Sequence, residues 1–295
     1  MSADPQARLR EFKPRHEFFV GIDSDGCAFD TMEVKHKDCF CPMYVKHWGL
    51  AAVAKYAREA WDFVNLYSKT RGCNRFLAAL GSLDVLRERP EVGARGVKIP
   101  EARGLRDWVA RETKLGNPAL EAAAKATGDR DLATALAWSK DVNRQVEEIV
   151  RDVPPFPFVR ESLARLHPRA DIVCVSATPG EALEREWAEH DIAGYAAVIA
   201  GQEMGTKKEH LKLAAAGKYP AANVLMVGDA PGDMAAAKAV GALYYPINPG
   251  HEEASWKRFF DEAVDRFLKG EYAGGYEAGL IAEFNSYLPE VPPWK

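Results

Sequence analysis

The stretch EFFVGIDSDGCAFD, residues 17–30, carries an apolar run that ends in two aspartates separated by one residue. Its aromatic and β-branched residues predict a buried strand, and Gly26 predicts a turn directly after it. Side chains two residues apart on a strand point to the same face, so we expect Asp23 and Asp25 to share one face. Two carboxylates that close repel each other, which favours a cation or a substrate group between them.

Four further apolar runs predict buried strands later in the chain. They are ADIVCVSA at 170–177, AAVIA at 196–200, NVLMVGD at 223–229 and ALYYPI at 242–247. The segments between these runs are long enough for one helix each. Strands and helices that alternate in this way indicate an α/β fold with a parallel sheet covered on both faces.

About 140 residues separate the first two strands, far more than a simple crossover requires, and they contain amphipathic helical patterns. Helices are predicted from near Trp48 and over 71–89, 101–113, 117–126 and 130–150. We therefore predict a core of residues 1–30 and 158–295 and a large all-α inserted domain of residues 31–157. The tail LPEVPPWK, 288–295, is expected to pack on the sheet domain or on a second subunit.

The composition of the 295 residues favours a globular protein that acts on small soluble partners. The net charge is −4 without a lysine or arginine run, which predicts neither a nucleic-acid face nor a basic membrane patch. The sequence has no stretch of roughly 20 apolar residues and no signal-peptide pattern, so a cytoplasmic location is expected. Five unevenly spaced cysteines fit reduced thiols better than a disulfide framework.

Each candidate functional motif lies at or shortly after the carboxyl end of a predicted strand, which is where ligands bind in open parallel sheets. Ser176 follows the second strand, and Asp229 and Asp233 follow the fourth in the motif VGDAPGD. Thr178, with Glu181 three residues later, matches a helix capping box, which would leave Ser176 free to face the crevice.

Two lysines stand at an unfavourable place. Thr206 and Glu209 match a capping box, which puts Lys207 and Lys208 in the first turn of a helix, where the helix dipole disfavours cations. A solvated helix face is the ordinary explanation for such lysines, but local rule-breaking concentrates at functional sites. The spacing to His210 and Leu211 favours Lys207 over Lys208.

The carboxylates of Asp23, Asp25, Asp229 and Asp233 would form a site rich in oxygen and poor in nitrogen and sulfur. Mg²⁺ prefers such donors, and it would relieve the repulsion within the aspartate pair. Another constellation, His36, Cys39, Cys41 and His47, has the residue types of a zinc site. Its Cys-x-Cys spacing is tighter than usual and no second pair follows, which disfavours zinc.

The ordered set VGIDSDG, VCVSAT, a lysine before a helix and LMVGDAPGD resembles the motifs of the haloacid dehalogenase superfamily, whose members are mostly magnesium-dependent phosphatases on a Rossmann-like sheet. The resemblance covers residues 17–30 and 157–249 and implies that the helical insert is a cap domain. It implies that Asp23 is a nucleophile that forms an aspartyl phosphate. Asp25 would act as general acid and then as base, with its backbone carbonyl on the metal.

The same resemblance assigns the remaining motif residues. Ser176 would hold the phosphoryl oxygens together with backbone amides of the first loop, and Lys207 would neutralise charge on the nucleophile and the phosphate. Asp229 would bind Mg²⁺ directly, with Asp233 supporting it from behind or through a water molecule.

The expected activity is hydrolysis of a small organic phosphate monoester, since members that cleave carbon–halogen bonds or phosphonates generally lack the second acid, here Asp25. Asp30 and Thr31 would form the hinge of the cap, and Lys98 in RGVKIP is a candidate for substrate choice. Two alternatives stay open: a phosphomutase or phosphotransferase of the same superfamily, and a non-catalytic protein that binds a phosphorylated ligand. The oligomeric state is not predicted.

Overall fold

The computed structural model describes residues 4–295, which form a five-stranded parallel sheet and sixteen α-helices. The strands are β1 Phe18–Ile22, β2 Ala170–Val175, β3 Ala196–Ala200, β4 Val224–Gly228 and β5 Leu243–Pro246. The helices are α1 Ala7–Arg10, α2 Thr31–Val34, α3 Cys41–His47, α4 Ala54–Asn65, α5 Arg75–Arg87, α6 Pro90–Ala94, α7 Arg103–Arg111, α8 Asn117–Thr127, α9 Arg130–Ile149, α10 Val159–Leu166, α11 Gly180–Glu189, α12 Lys207–Ala214, α13 Pro231–Ala239, α14 Glu252–Arg258, α15 Val264–Leu268 and α16 Gly275–Ser286.

The strands stand in the order β3-β2-β1-β4-β5, and every neighbouring pair is parallel. All five predicted strands are therefore present, and the α/β fold class is confirmed. From β1 the chain builds outward through β2 and β3 on one side and through β4 and β5 on the other. The carboxyl ends of β1 and β4 consequently meet where the strand order reverses, which is the ligand-binding position of such sheets.

β1 is buried along its whole length, as its unbroken apolar sequence predicts. A Cβ atom at Gly21, in its middle, would lie 3.0 Å from both Leu211 of α12 and Met226 of β4. Glycine thus lets α12 pack closely against the centre of the sheet, and this close approach brings the first turn of α12 near the end of β1.

β5 is an outer strand whose free edge is covered by side chains of the C-terminal segment, one from α16 and one from the loop before it. The backbone N–H of Tyr244 donates to the Glu277 carboxylate at 2.8 Å, and the Tyr272 hydroxyl donates to the Tyr244 carbonyl at 2.8 Å. Both polar groups of this peptide are therefore satisfied without another strand.

The chain divides into two compact units. The sheet unit contains residues 4–31 and 152–287 of the described chain, and the helical unit contains residues 32–151 and 288–295. The C-terminal tail, which we expected on the sheet domain or a second subunit, packs in the helical unit, because Trp294 contacts the rings and charged groups of α4 and the α5–α6 region. That the helical unit acts as a cap stays a prediction.

The helical unit is built around large aromatic side chains, among them the buried Trp61 and Trp138, whose ring centroids lie 5.9 Å apart. The helix predicted from near Trp48 begins at Ala54, because a turn and a short 3₁₀ segment, Ala51–Val53, come first. A π-helical segment, Lys35–Phe40, joins α2 and α3, and a second one, Phe259–Ala263, joins α14 and α15. None of the helices among residues 4–295 combines the length and apolarity needed to cross a membrane.

Candidate active site

Asp23 lies directly after β1, at the point where the strand order reverses. Its backbone N–H donates to the carbonyl of Val227 at 3.0 Å, so the ladder between β1 and β4 continues one residue past the strand. The side chain is buried, at 4% exposure. Asp229 follows β4 directly and is buried as well, so neighbouring strands present two carboxylates at one edge of the sheet.

Asp233 reaches the same place from the first turn of α13. Its carboxylate accepts the backbone N–H of Ala230 at 3.1 Å, a capping interaction that turns the side chain back toward β4. A Cβ atom at Gly228 would lie 2.5 Å from the Asp233 side chain, so only glycine leaves room for this arrangement. One carboxylate oxygen from each of Asp23, Asp229 and Asp233 lies within 4.8 Å of the other two.

Lys207 supplies the positive charge of the cluster. Its Nζ donates to Asp23 Oδ2 at 2.7 Å and to Asp233 Oδ1 at 2.6 Å. The capping box of Thr206 and Glu209 is present and starts α12 at Lys207, as predicted. Lys208, one residue later, is exposed, so the structure brings Lys207 and not Lys208 to the carboxylates.

The cluster holds an excess of negative charge, with three carboxylates around one ammonium group. Burial raises the pKa of Asp23 well above its usual range, the charges of Asp233 and Asp229 raise it further, and Lys207 acts in the opposite direction. Burial alone would lower the pKa of Lys207, but the charges of Asp23 and Asp233 outweigh this effect and raise it. The surplus charge makes the site attractive to a further cation.

The three carboxylates fit a magnesium ion by their chemistry, since their donors are oxygens only and their separation suits a single ion. Within residues 4–295 this is the one group of three or more histidine, cysteine or acidic side chains close enough to hold a metal. The four candidate zinc ligands do not form a metal site. His47 is paired with Asp141 at 2.8 Å, and the indole N–H of Trp61 donates to His36 Nδ1 at 3.3 Å.

Asp25 is half-buried and stands apart from the three clustered carboxylates. Two hydroxyl groups donate to its carboxylate, Thr31 Oγ1 to Oδ1 and Thr178 Oγ1 to Oδ2, the latter at 2.6 Å. The predicted capping role of Thr178 is therefore wrong. α11 begins two residues later, its N-cap is Pro179 without a side-chain hydrogen bond, and the Thr178 hydroxyl is used at Asp25 instead.

Ser176 lies buried at the end of β2, where its backbone N–H donates to the Ala200 carbonyl at 3.0 Å. Its Oγ accepts the backbone N–H of Thr178 at 3.2 Å. The proposed functions of the residues farther from the sheet stay predictions: Asp30 is exposed after the first loop, and Lys98 is exposed between α6 and α7.

Sequence reasoning missed two groups of contacts at the site. The hydroxyl of Thr178 is one, and its position two residues after Ser176 at a strand end was the available signal. The other is a pair of hydrogen bonds at Ser24, which donates to Glu186 and accepts from Trp187 of α11; no sequence spacing gave an indication of them.

The sheet order and the carboxylate–lysine cluster define an α/β protein of the Rossmann-like class with its acidic site at the reversal of strand order. The family model of haloacid dehalogenase-like hydrolases matches residues 23–241, more than half of the chain. The chain belongs to this family, and the resemblance seen in its motifs is confirmed. No curated protein matched the sequence.

Solved structures with related folds share little sequence with the chain. A haloacid dehalogenase-like family protein from Streptococcus pneumoniae is 13% identical with a TM-score of 0.44, over 83% of this chain and 91% of that one. A predicted phosphoglycolate phosphatase from Haemophilus somnus is 15% identical with a TM-score of 0.40, over 80% and 88%. L-2-haloacid dehalogenase from Xanthobacter autotrophicus is 15% identical with a TM-score of 0.37, over 85% and 86%.

Proposed function

We propose that this hydrolase is a magnesium-dependent phosphatase that cleaves a small organic phosphate monoester through an aspartyl phosphate on Asp23. The observation that carries the proposal is the ammonium group of Lys207, 2.7 Å from Asp23 and 2.6 Å from Asp233, beside a separately held Asp25. Phosphoryl transfer needs little covalent chemistry beyond a nucleophile, but it needs charge neutralisation around the transferred group.

Asp23 is the nucleophile of the proposed reaction. One of its carboxylate oxygens attacks phosphorus in line with the leaving oxygen, and a water molecule later attacks the aspartyl phosphate and releases inorganic phosphate. Lys207 screens the repulsion between the anionic nucleophile and the anionic phosphate. Ser176 and backbone amides of the loop after β1 would hold the phosphoryl oxygens.

Asp25 is the general acid and base. It donates a proton to the oxygen of the leaving alcohol and then accepts one from the attacking water. Two hydroxyl donors, from Thr31 and Thr178, fix its carboxylate, which keeps the acid in one orientation while the nucleophile belongs to a different cluster. This division between two aspartates favours phosphate esters over carbon–halogen substrates, whose cleavage needs no proton donor to an oxygen.

Asp23, Asp229 and Asp233 would hold Mg²⁺, with the backbone carbonyl of Asp25 as a further oxygen ligand. When bound, the ion would supply positive charge to the oxygens of the phosphate group. The protein itself places three carboxylates and only one ammonium group in the site. The cluster is therefore negatively charged, and a divalent cation would neutralise it.

The deciding experiment is release of inorganic phosphate from sugar, nucleotide, amino-acid and aryl phosphates, with and without Mg²⁺. The Asp23→Asn protein serves as the blank, because it keeps the size of the side chain and removes the nucleophile. We expect release that requires Mg²⁺ and disappears in the blank while the melting temperature of the variant is retained. Undiminished release by the Asp23→Asn protein would contradict the mechanism.

The same assay separates the alternatives. A phosphomutase returns the phosphoryl group to its substrate, so isomerised sugar phosphate without stoichiometric inorganic phosphate would favour that reaction. A non-catalytic binding protein would shift its melting temperature with a phosphorylated ligand and release nothing. The presence of both Asp23 and Asp25 favours catalysis, because binding alone requires no acid at the position of Asp25.

A further inference from the structure

Ser24 separates the two aspartates of the proposed site, and its side chain is 0% exposed. Its hydroxyl makes two hydrogen bonds to one helix, α11. Ser24 Oγ donates to Glu186 Oε2 at 3.0 Å, and the indole N–H of Trp187 donates to Ser24 Oγ at 3.0 Å. The single hydroxyl proton and one acceptor position are therefore both used, and both contacts fix the direction of the Ser24 side chain.

The backbone around Ser24 is tied to the same residue. Its carbonyl oxygen accepts the N–H groups of Cys27, Ala28 and Phe29 at 3.2, 2.9 and 3.0 Å, which folds the loop after β1 around this one oxygen. Its own N–H donates to Asp23 Oδ1 at 2.8 Å. A shift of the Ser24 backbone would therefore displace the carboxylate before it and the turn after it together.

Trp187 supports the loop a second time. The side chain is buried, and its ring meets the Phe29 ring edge to face at a centroid distance of 6.3 Å. α11 thus contacts the loop at Ser24 and at Phe29, on both sides of Asp25.

Glu186 is half-buried, and its carboxylate brings a negative charge close to the loop after β1. Burial raises the pKa of the neighbouring Cys174 thiol, and the charges of Asp23, Glu186 and Asp25 all add to that rise, so the three carboxylates act on one buried region.

We propose that Glu186 and Trp187 are positioning residues of the active site, which act through Ser24 to hold Asp23 and Asp25 in their reactive orientation. The proposal rests on the proposed function for its catalytic consequence. It assigns α11 the task of fixing the loop that carries both acids, whereas Thr178, before the helix, contacts Asp25 directly.

The test compares Glu186→Ala, Trp187→Phe and Ser24→Ala in the full chain. We expect kcat to fall by about 10- to 100-fold with KM within about threefold, because a misplaced reacting group slows the chemical step more than binding. Glu186→Gln, which keeps the acceptor, should restore most of the activity. Glu189→Gln, on an exposed position of the same helix, is the matched control and should leave kcat unchanged.

A double substitution tests the route through Ser24. Once Ser24 is alanine, Glu186→Ala should lower kcat no further, because both residues act through one hydroxyl. Fully additive losses, or a kcat of Glu186→Ala within twofold of the unaltered protein, would overturn the proposal. A loss that only follows the fraction of folded protein would overturn it as well.

Hydrogen exchange of the amides of residues 24–29 tests the proposal independently of turnover. We expect faster exchange in Glu186→Ala and Trp187→Phe at an unchanged melting temperature. Unchanged exchange in both variants would contradict the positioning role. If the unaltered protein releases no phosphate from any compound, the proposed function fails, and the exchange measurement alone decides whether α11 holds the loop.

Discussion

At the scale of single residues, Lys207 of the proposed site has a charge that is unfavourable for its position in the helix. The positive end of the dipole of α12 disfavours an ammonium group in the first turn, yet Lys207 stands at the first helical position. Two carboxylates at hydrogen-bonding distance compensate for this placement. The carboxylates therefore stabilise the charge of the lysine, and the lysine stabilises the charge of the carboxylates.

Replacing Lys207 with methionine should lower the rate of phosphate release by about 100-fold or more, because one preorganised charge at the reacting group is lost. The melting temperature should fall as well, since three buried carboxylates lose their cation. Lys208→Met is the matched control, because Lys208 is exposed in the same turn, and it should retain activity within about twofold. Similar losses in the two variants would contradict the assignment of Lys207.

His210 gives the protein a stability that depends on pH. The side chain is buried, and burial lowers its pKa to about 4, against the smaller opposing effect of the backbone groups of Gly201 and Gly205. In an unfolded chain the pKa is about 6.5, so between these values the unfolded state binds more protons and the free energy of unfolding falls as the pH drops.

We expect this effect to reach about 2–3 kcal/mol between pH 6.5 and pH 4. Urea unfolding of the unaltered protein and of His210→Leu over this range isolates the contribution, because the other titrating groups are common to both proteins. The curve of the variant should lack that part of the slope. Parallel curves would show that His210 takes up a proton in the folded state.

The sequence predicted the site residues that a local pattern marks, and it missed the contacts that depend on tertiary packing. Asp23, Asp229 and Lys207 follow strands or begin a helix, so strand order alone brings them together. Thr178 satisfied a capping pattern on paper, but the hydroxyl bonds to Asp25, a residue of a different strand end. The Thr178 hydroxyl could either cap α11 or bond to Asp25. The local sequence pattern could not decide between these, because the choice depends on where the loop after β1 lies in the fold.

At the scale of elements, α12 is placed by a cap at its start and by a glycine beneath it. The Thr206 hydroxyl accepts the N–H of Glu209, and the Glu209 carboxylate accepts the N–H of Thr206 at 2.7 Å. Gly21 allows the body of the helix to lie close to β1. The position of the Lys207 ammonium group is therefore set by contacts on both sides of it.

Thr206→Ala should destabilise the protein by about 1 kcal/mol, the usual cost of a lost N-cap. Because the first turn of α12 carries Lys207, fraying there should also lower kcat at a temperature where the variant is fully folded. Thermal unfolding and phosphate release measured on the same sample check both expectations. Thr206→Ser keeps the hydroxyl and should retain both properties; a loss of equal size in this variant would contradict the capping explanation.

Element types followed from the sequence, but element ends and irregular turns did not. The five strands were found because runs such as AAVIA have few alternatives to burial in a sheet. The two π-helical segments, Lys35–Phe40 and Phe259–Ala263, carry no pattern that distinguishes them from α-helix.

At the scale of the whole molecule, the chain ends in the helical unit although its last long helix belongs to the sheet unit. Trp294 holds the C-terminal tail in the helical unit. Its ring lies 4.2 Å from the guanidinium of buried Arg89, which also contacts the Tyr56 ring, and it meets Phe63 edge to face at 5.8 Å. The sequence LPEVPPWK has no periodicity, and it gave no indication that the tail packs in the helical unit.

Trp294→Ala should destabilise the helical unit by about 2 kcal/mol, from the lost cation–π contact and the lost ring pair. Thermal unfolding of the full chain measures the effect. Val291→Ala is the matched control, because Val291 lies in the same tail at 59% exposure and should change the melting temperature little. Equal melting temperatures for Trp294→Ala and the unaltered protein would show that the tail is not held by this side chain.

The covered edge of β5 has a consequence for association between copies of the chain. Alternate residues of a parallel strand direct their backbone groups to the same side, so Tyr244 and Pro246 face away from β4. Proline has no N–H, and the N–H and carbonyl of Tyr244 are already bonded to Glu277 and Tyr272. A foreign strand approaching this edge finds no free donor along β5, so the C-terminal segment protects this edge of the sheet against strand addition and aggregation.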